Sequence, residues 1–282
     1  MATTIHFIDV GQGNMVLVQC SDGTNFVVDC NITDANKDRV LNYVAKQIGK
    51  AGRLHAFICT HRDADHMRGV RALHTRFPIG SVWDSGYPGT TTDSDEYQAY
   101  MQLRRDLGSK VIDKKTKHDY GYTRLRYFSA KDDRLPKNAN DQGIVVKVEE
   151  LNLAKSKALS STILTGDGSY ATWKDGIMKD YSKDDVSCSI LMAAHHGSLD
   201  FFDDPNDSRH YYTSHIKAIE PAMVVVSVGD NNFGHPDSKA LELYRKYATG
   251  SDKGNKVFRT DRQHSMKLVL KSGGGWNLSS NQ

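Results

Sequence analysis

The chain has no C-x-x-C pair, no apolar run near twenty residues and almost no charge imbalance, and each absence removes a class of protein. Its four cysteines, Cys20, Cys30, Cys59 and Cys188, lie far apart in 282 residues. Neither a disulfide framework nor a cysteine zinc site is expected from that spacing, and the four read as small buried hydrophobes. No segment approaches the roughly 20 apolar residues that cross a bilayer, so no membrane partner is expected. The opening MATTIHFIDVGQG has no basic stretch followed by a long apolar one, so no signal peptide is expected and the reading is cytoplasmic. Lys and Arg total 37 against 34 Asp and Glu, a net charge of +3. A balance this close neither demands nor excludes a nucleic-acid partner. Short-period repeats and low-complexity tracts are also missing.

What is present is an alternation of apolar strands, turns and helices. TIHFIDV, MVLVQC and NFVVDC read as strands separated by the turns GQGN and SDGT. Val40, Tyr43, Val44 and Ile48 keep helical spacing in KDRVLNYVAKQIGKAG. LHAFICT is too apolar to be half-exposed and belongs in the centre of a sheet. A helix is expected over SDEYQAYMQLRRDLG, capped by Ser94. YTRLRYFSA and QGIVVKVEEL follow as strands, with the polar KDDRLPKNAND between them as a loop. The second half repeats the rhythm: STILTGDGS, DVSCSILMAAHHGS and PAMVVVSVGDNNFGHPD each run from an apolar strand into a polar end. SKALELYRKYA is a helix, and KVFRT and SMKLVLKSGGGWNLSS close the chain as strands. The order suits two packed sheets with helices outside.

The chemistry concentrates at the strand ends. FICTHRDADHMRGV places His61, Asp63, Asp65 and His66 within six positions, directly after a buried strand. Asp167 ends the strand in ILTGDGS, His195 and His196 end AAHHGS, and His235 follows the PAMVVVSV strand. Singly, such residues are ordinary turn and loop polar groups. Four imidazole and carboxylate donors on one loop, with three further clusters at strand ends, instead suit a centre for zinc, manganese or iron(II). Two metals about 3.5–4 Å apart could share a bridging carboxylate, and Asp167, from a distant strand, is the candidate for that place.

The combination THRDADHMRG, ILTGDGS and AAHHGS resembles the metallo-β-lactamase superfamily. With FIDVGQGN at the start and GHPD late in the chain, it is similar to two branches: the metallo-β-lactamase-like domain of the DNA-uptake channel protein ComEC, and the phosphorylcholine esterases. The resemblance implies an α/β fold, an αββα sandwich of two mixed sheets with helices outside, built as a single domain over 1–282. It implies two divalent ions, Zn²⁺ or Mn²⁺. His61 and Asp63 would serve one, Asp65 and His66 the other, and Asp167 both. One of His195 and His196 would complete the second ion's ligand set; His196 is favoured, leaving His195 for a substrate phosphate. His235 matches the His-Pro loop and would bind phosphate or protonate a leaving group. Two departures stand out. Asp63 occupies the place of the family's second motif His. The family's further His before the bridging Asp is also missing, and KNANDQG offers Asn140 and Asp141 there. Asn14 stands where the family's turn has Asp, and Asp9 and Asp29 are candidates to orient ligating imidazoles.

The expected activity is phosphodiester hydrolysis, by a nuclease or a small phosphodiesterase, using a water activated by two metals, with Asp65, His195 and His235 as catalytic groups. The alternatives are a non-catalytic or one-metal module binding nucleotides or nucleic acid, and a hydrolase of a non-phosphate ester. The run from Arg104 to Tyr127 interleaves Arg104, Arg105, Lys110, Lys114, Lys115, Lys117, Arg124 and Arg126 with Tyr120, Tyr122 and Tyr127. Such a run suits single-stranded nucleic acid as a partner, by phosphate neutralisation and base stacking; its plainer reading is a solvated hairpin.

Overall fold

The structure is a computed structural model that describes residues 2–204 and 210–280. In chain order the strands are β1 (Thr3–Phe7), β2 (Val16–Gln19), β3 (Asn25–Val28), β4 (Cys30–Asn31), β5 (Ala56–Ile58), β6 (Val82–Asp84) and β7 (Ser109–Val111). They continue as β8 (Lys117–Tyr120), β9 (Thr123–Phe128), β10 (Val145–Leu151), β11 (Ala158–Leu164), β12 (Ile190–Met192), β13 (Met223–Val226) and β14 (Val257–Arg259). The last two are β15 (Met266–Leu270) and β16 (Trp276–Ser280). One sheet has the order β16-β15-β1-β2-β3-β5-β6-β7 and the other β14-β13-β12-β11-β10-β9-β8. Both mix parallel and antiparallel pairs.

Strand alternation makes the layers. Val16 and Val18 of β2 point between the sheets, where they meet Val146 and Val148 of β10 and Met192 of β12. Leu17 points the other way, onto Val40 and Val44 of helix Lys37–Ile48 and Leu103 of helix Asp95–Asp106. On the second sheet Ile163, Leu191 and Val224 face outward under Trp173, Ile177 and Leu241. Helix–sheet–sheet–helix is the expected sandwich. Ser94 caps its helix as read from the sequence, its Oγ accepting from Tyr97 N at 3.2 Å. β7, β8 and the helical stretch 172–186 were not legible: the strands are short and polar, and the stretch is interrupted.

Strand direction gathers the polar ends. β3, β5, β6 and β7 run parallel, as do β11, β12, β13 and β14. The loops after β3, β5, β11, β12 and β13 therefore open onto one rim of the sandwich. All four cysteines are free and buried. Among the described residues no helix is long and apolar enough to cross a membrane.

Candidate metal centre

The loop after β5 is pinned from both sides. Asn14 N donates to the Asp65 carbonyl at 3.1 Å, and Ile32 N to the Arg68 carbonyl at 2.9 Å. Gly13 (φ +124°) and Gly69 (φ +74°) permit those approaches. A Cβ on Gly13 would stand 2.8 Å from Asp65 O, and one on Gly69 2.4 Å from Ile32 O. Asn14 thus acts through its backbone on the loop that carries Asp65.

Asp167 is the hub. Its Oδ1 lies 3.2 Å from His66 Nε2, and its Oδ2 lies 3.8 Å from His61 Nε2 and 3.7 Å from the Nε2 atoms of both His195 and His196. Asp63 Oδ2 is 3.8 Å from His61 Nε2, and Asp65 Oδ2 is 3.1 Å from His196 Nε2. Five of the six residues expected as ligands form two compact trios, His61–His66–Asp167 and Asp65–His66–His196; Asp63 stands beside the first, outside both.

The donor set fits divalent metal. Three imidazoles have their outer nitrogens engaged, which turns Nε2 inward. His66 Nδ1 donates to Asp29 Oδ2 at 2.8 Å, and His196 Nδ1 donates to the Ser227 carbonyl at 2.9 Å. Thr60 Oγ1 gives its hydrogen to Asp29 Oδ2 at 2.8 Å and so accepts from His61 Nδ1 at 3.1 Å. What remains is anomalous for a buried cluster: among the described residues His61 Nε2 has no hydrogen-bond partner, and His66 Nε2 and Asp167 Oδ1, 3.2 Å apart, pair only by charge, without an aligned hydrogen bond. Buried polar atoms are seldom left so without a ligand to serve.

The charges agree with this. Burial alone would raise the Asp167 carboxyl, yet His66, His196, His195 and His61 hold it well below the usual range. Burial would lower His66, but Asp167, Asp29 and Asp65 raise it well above an ordinary imidazole.

His195 and His196 have separate places. His196 is buried; His195 is a quarter exposed, with Nδ1 3.3 Å from Asp200 Oδ2. Both have φ near +50°, consecutive non-glycine residues in the left-handed region. Such backbone persists only where its surroundings enforce it, and it is what sends the two neighbouring rings to different depths. His235 packs on His195 with ring centroids 5.1 Å apart. A cleft of about 200 Å³ opens onto Asp63, Asp167, His195 and Asp200, with Asn140 and Thr90 on its wall.

Three expectations change. Asp9 does not orient a ligating histidine: it faces Arg39 and His264, each at 3.6 Å, and of the two carboxylates Asp29 takes that role, on His66. Asp141 does not take the place of the missing His. Its Oδ1 accepts from Ser169 N, Ser169 Oγ and Thr172 Oγ1, and its Oδ2 from Asn138. Asn140 lines the cleft instead. The basic run is not a bare cationic strip. Arg104 meets buried Asp84, Lys114 meets Asp132 and Asp180, Arg124 meets Asp119, and Arg126 meets Asp185. Tyr127 is buried. A larger cavity of about 550 Å³ beside Arg124, Arg126 and Lys147 lies on the outer face of the second sheet, away from the rim.

Sequence reasoning missed Thr60, Thr90, Ser227 and Asp200. Thr90 donates to both Asp63 oxygens, at 2.8 and 2.9 Å. Only Thr60 left a trace, as the hydroxyl between an apolar strand and His61.

The profile of the metallo-beta-lactamase superfamily matches residues 8–150. The chain belongs to that superfamily. No curated protein matches it. Among solved structures it is similar to CmlA, a diiron beta-hydroxylase from Streptomyces venezuelae, at TM-score 0.56 and 14% identity, over 95% of this chain and 54% of that one. It is also similar to the metallo-beta-lactamase fold protein YhfI from Bacillus subtilis, at 0.53 and 13%, over 93% and 97%. Igni18, a metallo hydrolase from Ignicoccus hospitalis, gives 0.51 and 13%, over 99% and 100%. The chain spans about half the length of the hydroxylase, and these likenesses speak to the fold.

Proposed function

We propose that this superfamily member is a metal-dependent hydrolase of phosphodiester bonds. The observation that carries the metal reading is the inward-turned set of nitrogens around Asp167, with buried atoms left without a hydrogen bond among the described residues. His61, Asp63 and Asp167 would hold one ion, and Asp65, His66, His196 and Asp167 the other, with Zn²⁺ and Mn²⁺ as the candidates. Asp63, in place of a nitrogen ligand, makes the first set richer in oxygen, which favours manganese more than the usual set does. When bound, divalent cations supply Lewis acidity and make water nucleophilic near neutral pH.

Phosphate is favoured over a neutral carbonyl by the layer above the cluster. His195 reaches Asp167 from the cluster's edge, and His235 packs on the His195 ring at a tilt of 58°. Two imidazoles there offer N–H donors to the charged oxygens of a phosphodiester. His195, between the carboxylates of Asp167 and Asp200, holds its proton more firmly than an ordinary histidine; burial alone would have lowered it. His235 is lowered by burial and by His195. The two divide the work: His195 meets the developing negative charge, and His235 orients the ester through an N–H. Asp65 steers the proton of the attacking water.

The second reading, a one-metal or non-catalytic nucleotide-binding module, is favoured by Asp141 being spent on Ser169, Thr172 and Asn138. Hydrolysis of bis-p-nitrophenyl phosphate with zinc or manganese, beside single- and double-stranded DNA, separates the two. Turnover that disappears in Asp65→Ala supports the hydrolase. Metal-loaded, folded protein with one ion and no turnover supports the binding module.

A further inference from the structure

Phe233 exposes 76% of its surface in the loop between β13 and helix Ser238–Tyr247. Single exposed apolar residues are common and usually mean nothing. Leu153 is more exposed still, and it sits in the β10–β11 turn at the opposite end of the sheet from the rim. Phe233 differs in two respects.

The first is its fixing. Asn231 Nδ2 donates to the carbonyls of Gly229 and His235, both at 2.8 Å. Its Oδ1 accepts from the backbone N–H of Phe233 at 3.0 Å and of His235 at 3.1 Å. One side-chain amide thus spends its capacity on holding Phe233 and His235 in register. The second is its alignment. The Phe233 ring lies 23° from parallel to His235, centroids 6.2 Å apart. His235 lies 5.1 Å from His195, whose Nε2 is 3.7 Å from Asp167. A line of rings leads out from the metal cluster and ends on an exposed flat face.

We propose that Phe233, held by Asn231, is a stacking platform for an aromatic ring of the substrate. It is an extra subsite for the nucleobase of a nucleotide phosphodiester. The proposal rests on the phosphodiesterase reading of the same site. The platform stands one ring-to-ring step beyond the imidazole assigned to the phosphate, where a sugar-linked base falls. Asn231, Asn232 and Gly234 around it provide no further apolar surface, so a lipid chain gains little there. One aromatic face also falls short of the several that enclose a quaternary ammonium. A planar base needs only the one face, and stacking tolerates any base.

The test reads binding. Protein loaded with zinc or manganese is titrated into a dinucleotide carrying 2-aminopurine, whose fluorescence falls on stacking. The probe is then displaced with thymidine 5′-monophosphate, 2-deoxyribose 5-phosphate and phosphocholine. The nucleotide should displace it about ten-fold better than the sugar phosphate. Phe233→Ala should bring that ratio near one and Phe233→Trp should keep it. Asn231→Ala should lower it with Phe233 still present, because the ring is then no longer held in register with His235. Failure of the probe to bind, equal displacement by nucleotide and sugar phosphate, a ratio indifferent to Phe233→Ala, or phosphocholine as the strongest competitor would each overturn the proposal. Protein that stacks the probe yet cleaves no diester would overturn the phosphodiesterase reading alone.

Discussion

Asp29 Oδ2 accepts the Nδ1 hydrogen of His66 at 2.8 Å, with both residues buried. The same carboxylate accepts from Thr60 N at 2.7 Å and from Thr60 Oγ1, and through Thr60 it also orients His61. Asp29 has φ of 57°, a conformation Asn tolerates. Asp29→Asn therefore isolates the hydrogen bond from the backbone. An amide whose NH₂ faces Nδ1 favours the other tautomer and turns an N–H towards the metal position. Metal affinity should fall roughly 10–100-fold, the usual cost of losing such a partner. Competition against a chromophoric chelator measures it, and unchanged affinity would remove Asp29 from the support of the centre.

The two adjacent histidines should separate in one experiment. His196 is buried, with Nδ1 on the Ser227 carbonyl. His195 faces the cleft and Asp200. His196→Ala should lose an ion, read as metal per chain by elemental analysis. His195→Ala should keep its metal and lose turnover of the phosphodiester by about 100-fold or more, the scale of a general acid. The reverse pattern would exchange their roles.

Much of this was legible in the sequence because it follows from periodicity. Apolar strands that end in His and Asp announce both the sheets and the rim, and the resemblance of THRDADHMRG, ILTGDGS and AAHHGS pointed to His61, Asp63, Asp65, His66, Asp167 and His196 among them. What stayed hidden depends on contacts between distant segments. Thr90 reaches Asp63 across 27 positions, and Ser227 reaches His196 through a carbonyl, which leaves no mark on residue identity. The cations between Arg104 and Arg126 read as a strand-binding run for the same reason. Their carboxylate partners Asp84, Asp132, Asp180 and Asp185 lie elsewhere in the chain. Asp9 and Asp29 follow sister strands and looked equivalent; only the fold directs one to His66 and the other to Arg39.

Asp84 should set an acid limit on stability. It is buried, and it accepts from Arg62 Nε at 3.1 Å, Arg104 Nε at 2.9 Å and Tyr100 Oη at 2.6 Å. Burial would raise its carboxyl, but Arg62, Tyr100 and Arg104 outweigh that and hold it below the ordinary range. A depressed carboxylate adds stability above the unfolded-state pKa of about 3.9, and that stability is lost as pH falls through the folded value. Asp84→Asn should therefore destabilise at neutral pH, by about 3–5 kcal/mol for a broken buried pair. The difference from wild type should shrink below about pH 4. Urea midpoints across that range measure it, and a difference independent of pH would refute the assignment.

Metal should stabilise the fold through Asp167. Its carboxylate joins loops from both sheets, meeting His61 and His66 from one and His195 and His196 from the other. A cation shared among these groups binds the native state alone, because the unfolded chain scatters them across more than a hundred positions. At a hundredfold excess over the dissociation constant that is worth about 2.7 kcal/mol, or about 5 °C in Tm for a chain of this size. Chelator-stripped protein titrated with zinc or manganese should show that rise by differential scanning fluorimetry. Asp167→Asn, which weakens the carboxylate common to both proposed ion positions, should flatten it, whereas His195→Ala should leave most of it. Two binding steps in calorimetry would support the pair of ions, and one step the single-metal reading. Folded protein whose Tm ignores every divalent ion tested would end the case for a metal centre.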